Sequence, residues 1–232
     1  MIRAGTRRMV AAVVLAGLVA GATAIPGSLG RLTAAATVGN CTLTTRTWFF
    51  LHNNPTPPVG NTNAVANLAM DALLVPSQAT LYNYDANADS LAGRRIQKSA
   101  TGPGDTTLAR YVNWRTAAFT AARTISGTVT LRLWSGITGF PLNQRGVLIA
   151  YLRDYNPSNG QYVEIANATL DQANWQAGTA NWVLKQIDIS VASYTLAVGR
   201  VLEVKVVTNA NASANMVVAY DTTSYMSLLS IP

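Results

Sequence analysis

The residues of this chain that could do chemistry are few, and they fall into three groups. The first is Asp85-Ala86-Asn87-Ala88-Asp89, where oxygen-bearing side chains recur at alternate positions. A hard cation needs several oxygen ligands at close range, so Asp85, Asn87 and Asp89 are the candidate ligands of a structural Ca²⁺. Two features count against a full calcium loop. Ser90 stands sixth, where such a loop turns on glycine, and Ile96 stands twelfth, where it closes with a bidentate glutamate. Aspartate and asparagine also cap turns by themselves. No other cofactor is required by the residues present.

The second group is the hydrolytic one, and it is sparse. His52 is the one histidine in the chain, so any Ser-His-Asp arrangement must use it as base. It lies between Leu51 and Asn53 at the end of an apolar run, which reads as a turn or surface histidine. There is no Gly-x-Ser-x-Gly elbow, no His-Glu-x-x-His and no glycine-rich phosphate cradle. A glycosidase needs a pair of carboxylates across the scissile bond. The two glutamates are Glu164 and Glu203, with Asp85, Asp89, Asp105, Asp154 and Asp221 as further partners. Glu203 alternates with Leu202, Val204 and Val206, which predicts a solvent-facing position beside Lys205. Catalysis by a small hydrolase is therefore the least supported reading, and no catalytic residue is assigned.

The third group is aromatic. Trp134 alternates away from Val129, Leu131 and Leu133, and Arg132 shares its face. An outward indole offers a flat apolar plate with an N–H at its edge. The C–H face of a sugar ring stacks on such a plate, and neighbouring polar groups take the hydroxyls. Tyr82, Tyr84, Trp114 and Trp175 are the further candidate contacts, while Trp48 and Trp182 are assigned to the core.

The elements that must position these residues are short strands. Apolar or alternating runs occupy 46–51, 80–84, 128–134, 147–153, 162–165, 181–190, 201–208, 216–220 and 225–231. Asn53-Asn54-Pro55, Asn156-Pro157-Ser158-Asn159-Gly160 and Asp221-Thr222-Thr223 punctuate them as turns. Many short strands with such punctuation predict an all-β sandwich or barrel. Val147-Leu148-Ile149-Ala150-Tyr151-Leu152 is apolar at both parities, which predicts a central strand covered on both faces. Residues 53–67 are rich in Asn, Pro and Thr and read as a long surface loop.

Arg3, Arg7 and Arg8 precede an apolar run over 9–20 and then Ala22-Thr23-Ala24. That is the layout of a signal peptide over 1–24, so the protein is expected to be exported. The run falls short of the roughly 20 residues of a membrane-spanning helix, so no retained span is expected. Thr6-Arg7-Arg8-Met9-Val10 is also compatible with twin-arginine export. A flexible leader follows over 25–41, then a single domain over 42–232. Cys41 is the one cysteine, which leaves no intrachain disulfide and either a free thiol or a bond between chains. The chain carries 17 Lys and Arg against 10 Asp and Glu, and three of the basic residues leave with the signal peptide. The remainder is scattered, without the basic stripe of a nucleic-acid binder.

Ile125-Ser126-Gly127-Thr128-Val129-Thr130-Leu131-Arg132-Leu133-Trp134 opens a stretch that contains Leu148-Ile149-Ala150-Tyr151-Leu152-Arg153-Asp154, Gly199-Arg200-Val201-Leu202-Glu203-Val204 and Tyr220-Asp221-Thr222-Thr223-Ser224-Tyr225. In order and character this half of the chain resembles the C-terminal jelly-roll domain of X-prolyl dipeptidyl aminopeptidases and related acyl hydrolases, of galactose-binding-like type. The resemblance implies a two-layer β-sandwich that supports or contacts ligand without catalytic residues. The α/β-hydrolase domain carrying the serine nucleophile is absent from this sequence, so the peptidase activity does not carry over. The expectation is an exported or cell-surface binding module, with glycans or cell-wall polysaccharide as ligand. The alternative is a structural subunit of a surface layer, pilus or matrix, whose partners are other extracellular proteins joined through free sheet edges.

Overall fold

The computed structural model describes residues 37–38, 41–42, 46–53, 68–74, 76, 93–99 and 104–232. The strands in chain order are β1 (Thr37–Val38), β2 (Cys41–Thr42), β3 (Thr47–Leu51), β4 (Leu68–Asp71), β5 (Arg94–Ile96), β6 (Tyr111–Arg115), β7 (Arg123–Ile137), β8 (Gly146–Tyr155), β9 (Tyr162–Gln172), β10 (Val183–Leu196), β11 (Val201–Val207), β12 (Met216–Ala219) and β13 (Leu228–Ile231). One 3-10 turn over Leu108–Arg110 is the helical element among the described residues, and none there is long and apolar enough to cross a membrane. The signal peptide, residues 25–36 and 39–40 of the leader and the expected strand over 80–84 lie outside the described residues, as does 54–67 of the expected long loop.

The sheet is continuous but folds over into two layers. The first layer runs β5-β12-β7-β13-β3 and the second β6-β11-β8-β9, with β4 joining them. β4 pairs antiparallel with β3 and parallel with β6. The long β7 is the spine of the first layer. β10 runs along one side of it, while β13 and β12 share the other side end to end. Val129, Leu131 and Leu133 of β7 face Leu202, Val204 and Val206 of β11 and Leu148, Ala150 and Leu152 of β8 in one buried core. The architecture is the all-β sandwich that the turn spacing predicts, and the period-two alternation of β7 has the predicted sign.

Five strands, β1, β2, β4, β5 and β6, are absent from the sequence expectation, and β7, β8, β9 and β10 run longer than expected. β4 and β5 are four and three residues long, too short for a period to emerge. The extensions of β9 carry Asn167, Thr169, Asp171 and Gln172 on a strand that is mostly exposed, so composition hides them. As expected, β8 is buried on both faces, between β11 and β9. Its first residue has to be glycine. A Cβ on Gly146 would sit 2.3 Å from Trp175 Cδ2, inside the indole that closes this end of the sandwich.

β11 corrects one expectation. Glu203 and Lys205 do lie opposite Leu202, Val204 and Val206, but that face is covered, and Glu203 is fully buried. Its cross-strand neighbours explain how. Arg115 of β6 and Arg153 of β8 flank it in register, and both guanidinium groups close over the carboxylate. The segment from Gly104 to Tyr111 covers the remainder. Asp105 offers its carbonyl to Lys205 Nζ, and the Tyr111 ring lies 4.2 Å from the same ammonium.

Candidate functional site

The outer face of the first layer holds the exposed aromatic residues. Alternation in β7 turns Trp134 and Arg132 outward, away from the core side chains of the same strand. Trp134 is half-buried, because Tyr225 stands edge-on to it at 5.5 Å and 80°. Tyr225 also touches Trp182 at 5.7 Å, and Trp182 meets Phe140 edge-on at 5.1 Å. Edge-to-face contacts of this kind fix ring orientation as well as adding to packing. The indole is therefore held in place, with part of its surface left open to solvent.

Cross-strand registry supplies the polar neighbours. Arg132 is exposed and lies between Gln186 of β10 and Leu228 of β13. Asp188, two pairs further along on the same face, accepts hydrogen bonds from Thr130 Oγ1 at 2.8 Å and Gln186 Nε2 at 3.0 Å. These bonds, Gln186's first, outweigh burial and hold its carboxyl below the usual range, with Arg46 and Arg132 adding favourable charge. The arrangement can stack a flat apolar ring and present both donors and acceptors to its edge.

The tryptophans divide differently from the sequence expectation. Trp114 and Trp175, nominated as ligand contacts, are 0% and 1% exposed and belong to the core. In β6 Trp114 shares its parity with Val112, opposite Asn113 and Arg115, and it packs edge-on against Tyr220 at 5.0 Å. Trp175 is wedged against Gly146, with Lys185 Nζ 4.5 Å from its ring. Conversely Trp48, assigned to the core, is 53% exposed on the outer face, and Trp182 is half-buried in the surface aromatic cluster. The run Trp48-Phe49-Phe50-Leu51 is apolar at both parities, so alternation gives no sign there. The one available signal is Arg46, two residues earlier on the same face and exposed. Tyr82, Tyr84, Asp85, Asn87 and Asp89 lie outside the described residues. Among the described residues no group of His, Cys, Asp and Glu side chains is arranged to hold a metal ion.

His52 is a clasp rather than a surface histidine. Its Nδ1 lies 2.9 Å from Asp221 Oδ1, and its Nε2 lies 3.2 Å from Asp71 Oδ1. Asp221 is buried, adopts a positive φ of 63°, and also accepts the Asn53 backbone N–H at 2.7 Å. The two carboxylates approach opposite edges of the ring, so they do not converge on a common metal position. An imidazolium donates from both nitrogens at once, and in that state neither is available as a general base. Burial pushes the His52 pKa down, but the hydrogen bond and charge of Asp221, joined by those of Asp71, outweigh it and leave the pKa raised. A raised folded-state pKa gives stability that is complete below the unfolded value of about 6.5 and lost as pH rises through the folded value. The Tm is accordingly expected to fall on going from pH 6 to pH 7.5, below the range near 8 where Lys205 titrates with the opposite sign. Asp71→Asn is expected to flatten that fall and to lower Tm at pH 6 by about 2–4 °C. A Tm that stays constant between pH 6 and pH 7.5 would contradict the clasp.

The clasp borders a shallow recess lined by Phe50, Leu73, Leu74, Pro76 and Met226. Leu73, Leu74 and Met226 are exposed, which leaves a small apolar patch beside the outer face.

No family model matches the chain, and no curated protein matches it. Solved structures do. A CocE/NonD family hydrolase from Staphylococcus aureus superposes with a TM-score of 0.51 at 13% identity, over 82% of this chain and 37% of that one. An α-amino acid ester hydrolase gives 0.49 at 13% identity, over 80% of this chain and 36% of that one. An aminopeptidase from a marine-sediment Thaumarchaeota archaeon gives 0.48 at 10% identity, with the same coverages of 80% and 36%. The chain thus spans little more than a third of the length of these proteins. The likeness extends over four-fifths of the chain, beyond the half that carries the sequence resemblance. What this chain is similar to, then, is the β-sandwich portion of a CocE/NonD-type hydrolase, in fold.

Proposed function

We propose that this chain is an exported, non-catalytic binding module that takes carbohydrate on the outer face of its first layer. Trp134 is the stacking plate, and Arg132 and Gln186 reach the hydroxyls of the ligand. The observation that supports this most is the pose of Trp134. It is oriented by Tyr225, partly open, and set among exposed polar side chains. Export rests on the layout of residues 1–24, and Tyr82 and Tyr84 remain candidate contacts on the segment that follows β4. Asp85, Asn87 and Asp89 would hold a structural Ca²⁺ in that segment, with oxygen ligands of the type the ion prefers.

The test is a glycan and polysaccharide array probed with the protein, with and without calcium. Specific binding is expected, and Trp134→Ala is expected to weaken it at least tenfold, about 1.4 kcal/mol. Binding that is indifferent to Trp134→Ala would count against this face.

One observation favours a second reading, a subunit of an extracellular assembly. The exposed Leu73, Leu74 and Met226 form an apolar patch of the kind that contacts protein. That reading predicts concentration-dependent self-association in sedimentation velocity, unchanged by Trp134→Ala.

A further inference from the structure

We propose that the ligand is an extended, neutral, β-1,4-linked polysaccharide laid diagonally across β3, β13 and β7, with Trp48 and Trp134 as two plates under sugars three units apart. This rests on the carbohydrate reading above and specifies the class of glycan.

The argument starts from registry. Trp48 of β3 is level with Ser230 of β13, and Ser230 is level with Thr130 of β7. Trp134 lies further along β7, past Arg132, on the same outer face. Two interstrand steps of about 4.8 Å and four residues of about 3.4 Å rise put the two positions about 16–17 Å apart. Leu228 is the midpoint of that diagonal, since it pairs with Phe50 on one side and Arg132 on the other. It is half-buried and gives a low apolar floor between the plates.

The spacing selects a ligand. A pyranose linked through equatorial oxygens advances its chain by about 5 Å, the span of a chair six-ring and its bridging oxygen built from bonds of about 1.5 Å. Three such steps cover the distance between the plates. Only equatorial linkage through opposite ring carbons keeps successive C–H faces parallel to one surface. Axially linked chains curl and turn their rings away from a flat face. The charge of the strip also selects. Arg46 and Arg132 both act on Asp188, which leaves the strip one net positive charge, fewer than a polysaccharide with an anionic group on every sugar would need across four units. Trp48 has no assigned role in the core, since it is 53% exposed where Phe49 and Leu51 of the same strand are buried.

The test uses cello-oligosaccharides of two, three, four and six units, titrated into the protein by calorimetry. Affinity is expected to rise at least tenfold between three and four units, when the second plate is reached, and to change little thereafter. Trp48→Ala is expected to erase that rise, leaving the tetrasaccharide bound like the trisaccharide, with Tm unchanged. Trp134→Ala is expected to weaken every length. Equal affinity for all lengths, or a tetrasaccharide insensitive to Trp48→Ala, would overturn the two-plate geometry while leaving a single-plate site at Trp134. No cello-oligosaccharide binding, with another glycan bound through Trp134, would overturn the ligand class alone. No binding to any glycan would overturn this inference and the reading beneath it.

Discussion

Replacing Glu203 by glutamine is expected to cost about 3–5 kcal/mol of stability, because it breaks a buried ion pair and leaves an uncompensated charge behind. At about 2–4 °C per kcal/mol for a chain of this size, Tm should fall by about 6–20 °C. The carboxylate is fully buried. Oε2 accepts from Arg115 Nε at 2.5 Å and Asn113 Nδ2 at 2.9 Å, and Oε1 pairs with an Arg153 terminal nitrogen. The two arginines are held as well. Arg115 lies 3.5 Å from the centre of the Tyr155 ring, and Arg153 lies 3.7 Å from that of Tyr162. Arg115 is partly open and can turn to solvent, whereas Arg153 is nearly enclosed, so most of the cost should fall on Arg153. Lys205 lies in the same cluster. Burial, and then the charge of Arg153, push its pKa down to about 8, against the opposing pull of Glu203 and Asp105. A Glu203→Leu, Arg153→Met double variant should recover part of the loss, since well-packed apolar residues replace buried ion pairs with little penalty. Urea unfolding of the three proteins checks this. A loss below about 1 kcal/mol in Glu203→Gln would mean that the carboxylate is not the anchor of this face.

Trp114→Ala is expected to be as damaging, at about 3–5 kcal/mol, since a fully buried indole is removed from between the layers. Tyr220, edge-on at 5.0 Å, would lose its partner across the core. Trp134→Ala should cost less, because the indole is only half-buried and its edge-to-face contact adds about 0.5–1.5 kcal/mol to the area it buries. The contrast separates the two roles of tryptophan in this chain. The Trp114 change should act on unfolding and the Trp134 change on ligand. Trp114→Phe, which keeps most of the packing, covers the case in which the alanine variant does not fold. If Trp114→Phe instead weakened glycan binding at unchanged stability, the division would be wrong.

How much of this was legible in the sequence depended on whether alternation had a sign. In β7, polar Thr130 and Arg132 alternate with Val129, Leu131 and Leu133, so the core face and the outward Trp134 could be read directly. In β11 the same logic placed Glu203 on the correct face but missed what covers it. Arg115 and Arg153 lie 88 and 50 residues away in sequence and meet Glu203 only through registry. In β6, the alternation of Val112 and Trp114 against Asn113 and Arg115 was a usable signal for a buried Trp114. In β3, four consecutive apolar residues carry no parity, and Trp48 could not be assigned a face. The His52 clasp depends on Asp221 from a turn 169 residues later, a pairing that composition and spacing do not encode. The fold class was legible because it rests on many weak local signals that agree. Of the proposed site, the outward placement of Trp134 and Arg132 was legible, because a single strand determines it.

The most direct test of the account is a ¹H–¹⁵N spectrum of the five indole N–H groups during titration with cellohexaose. The account predicts that the resonances of Trp48 and Trp134 move together with one dissociation constant, while those of Trp114 and Trp175 stay in place. Stationary Trp48 and Trp134 signals at saturating glycan, or shifts confined to the buried indoles, would contradict it.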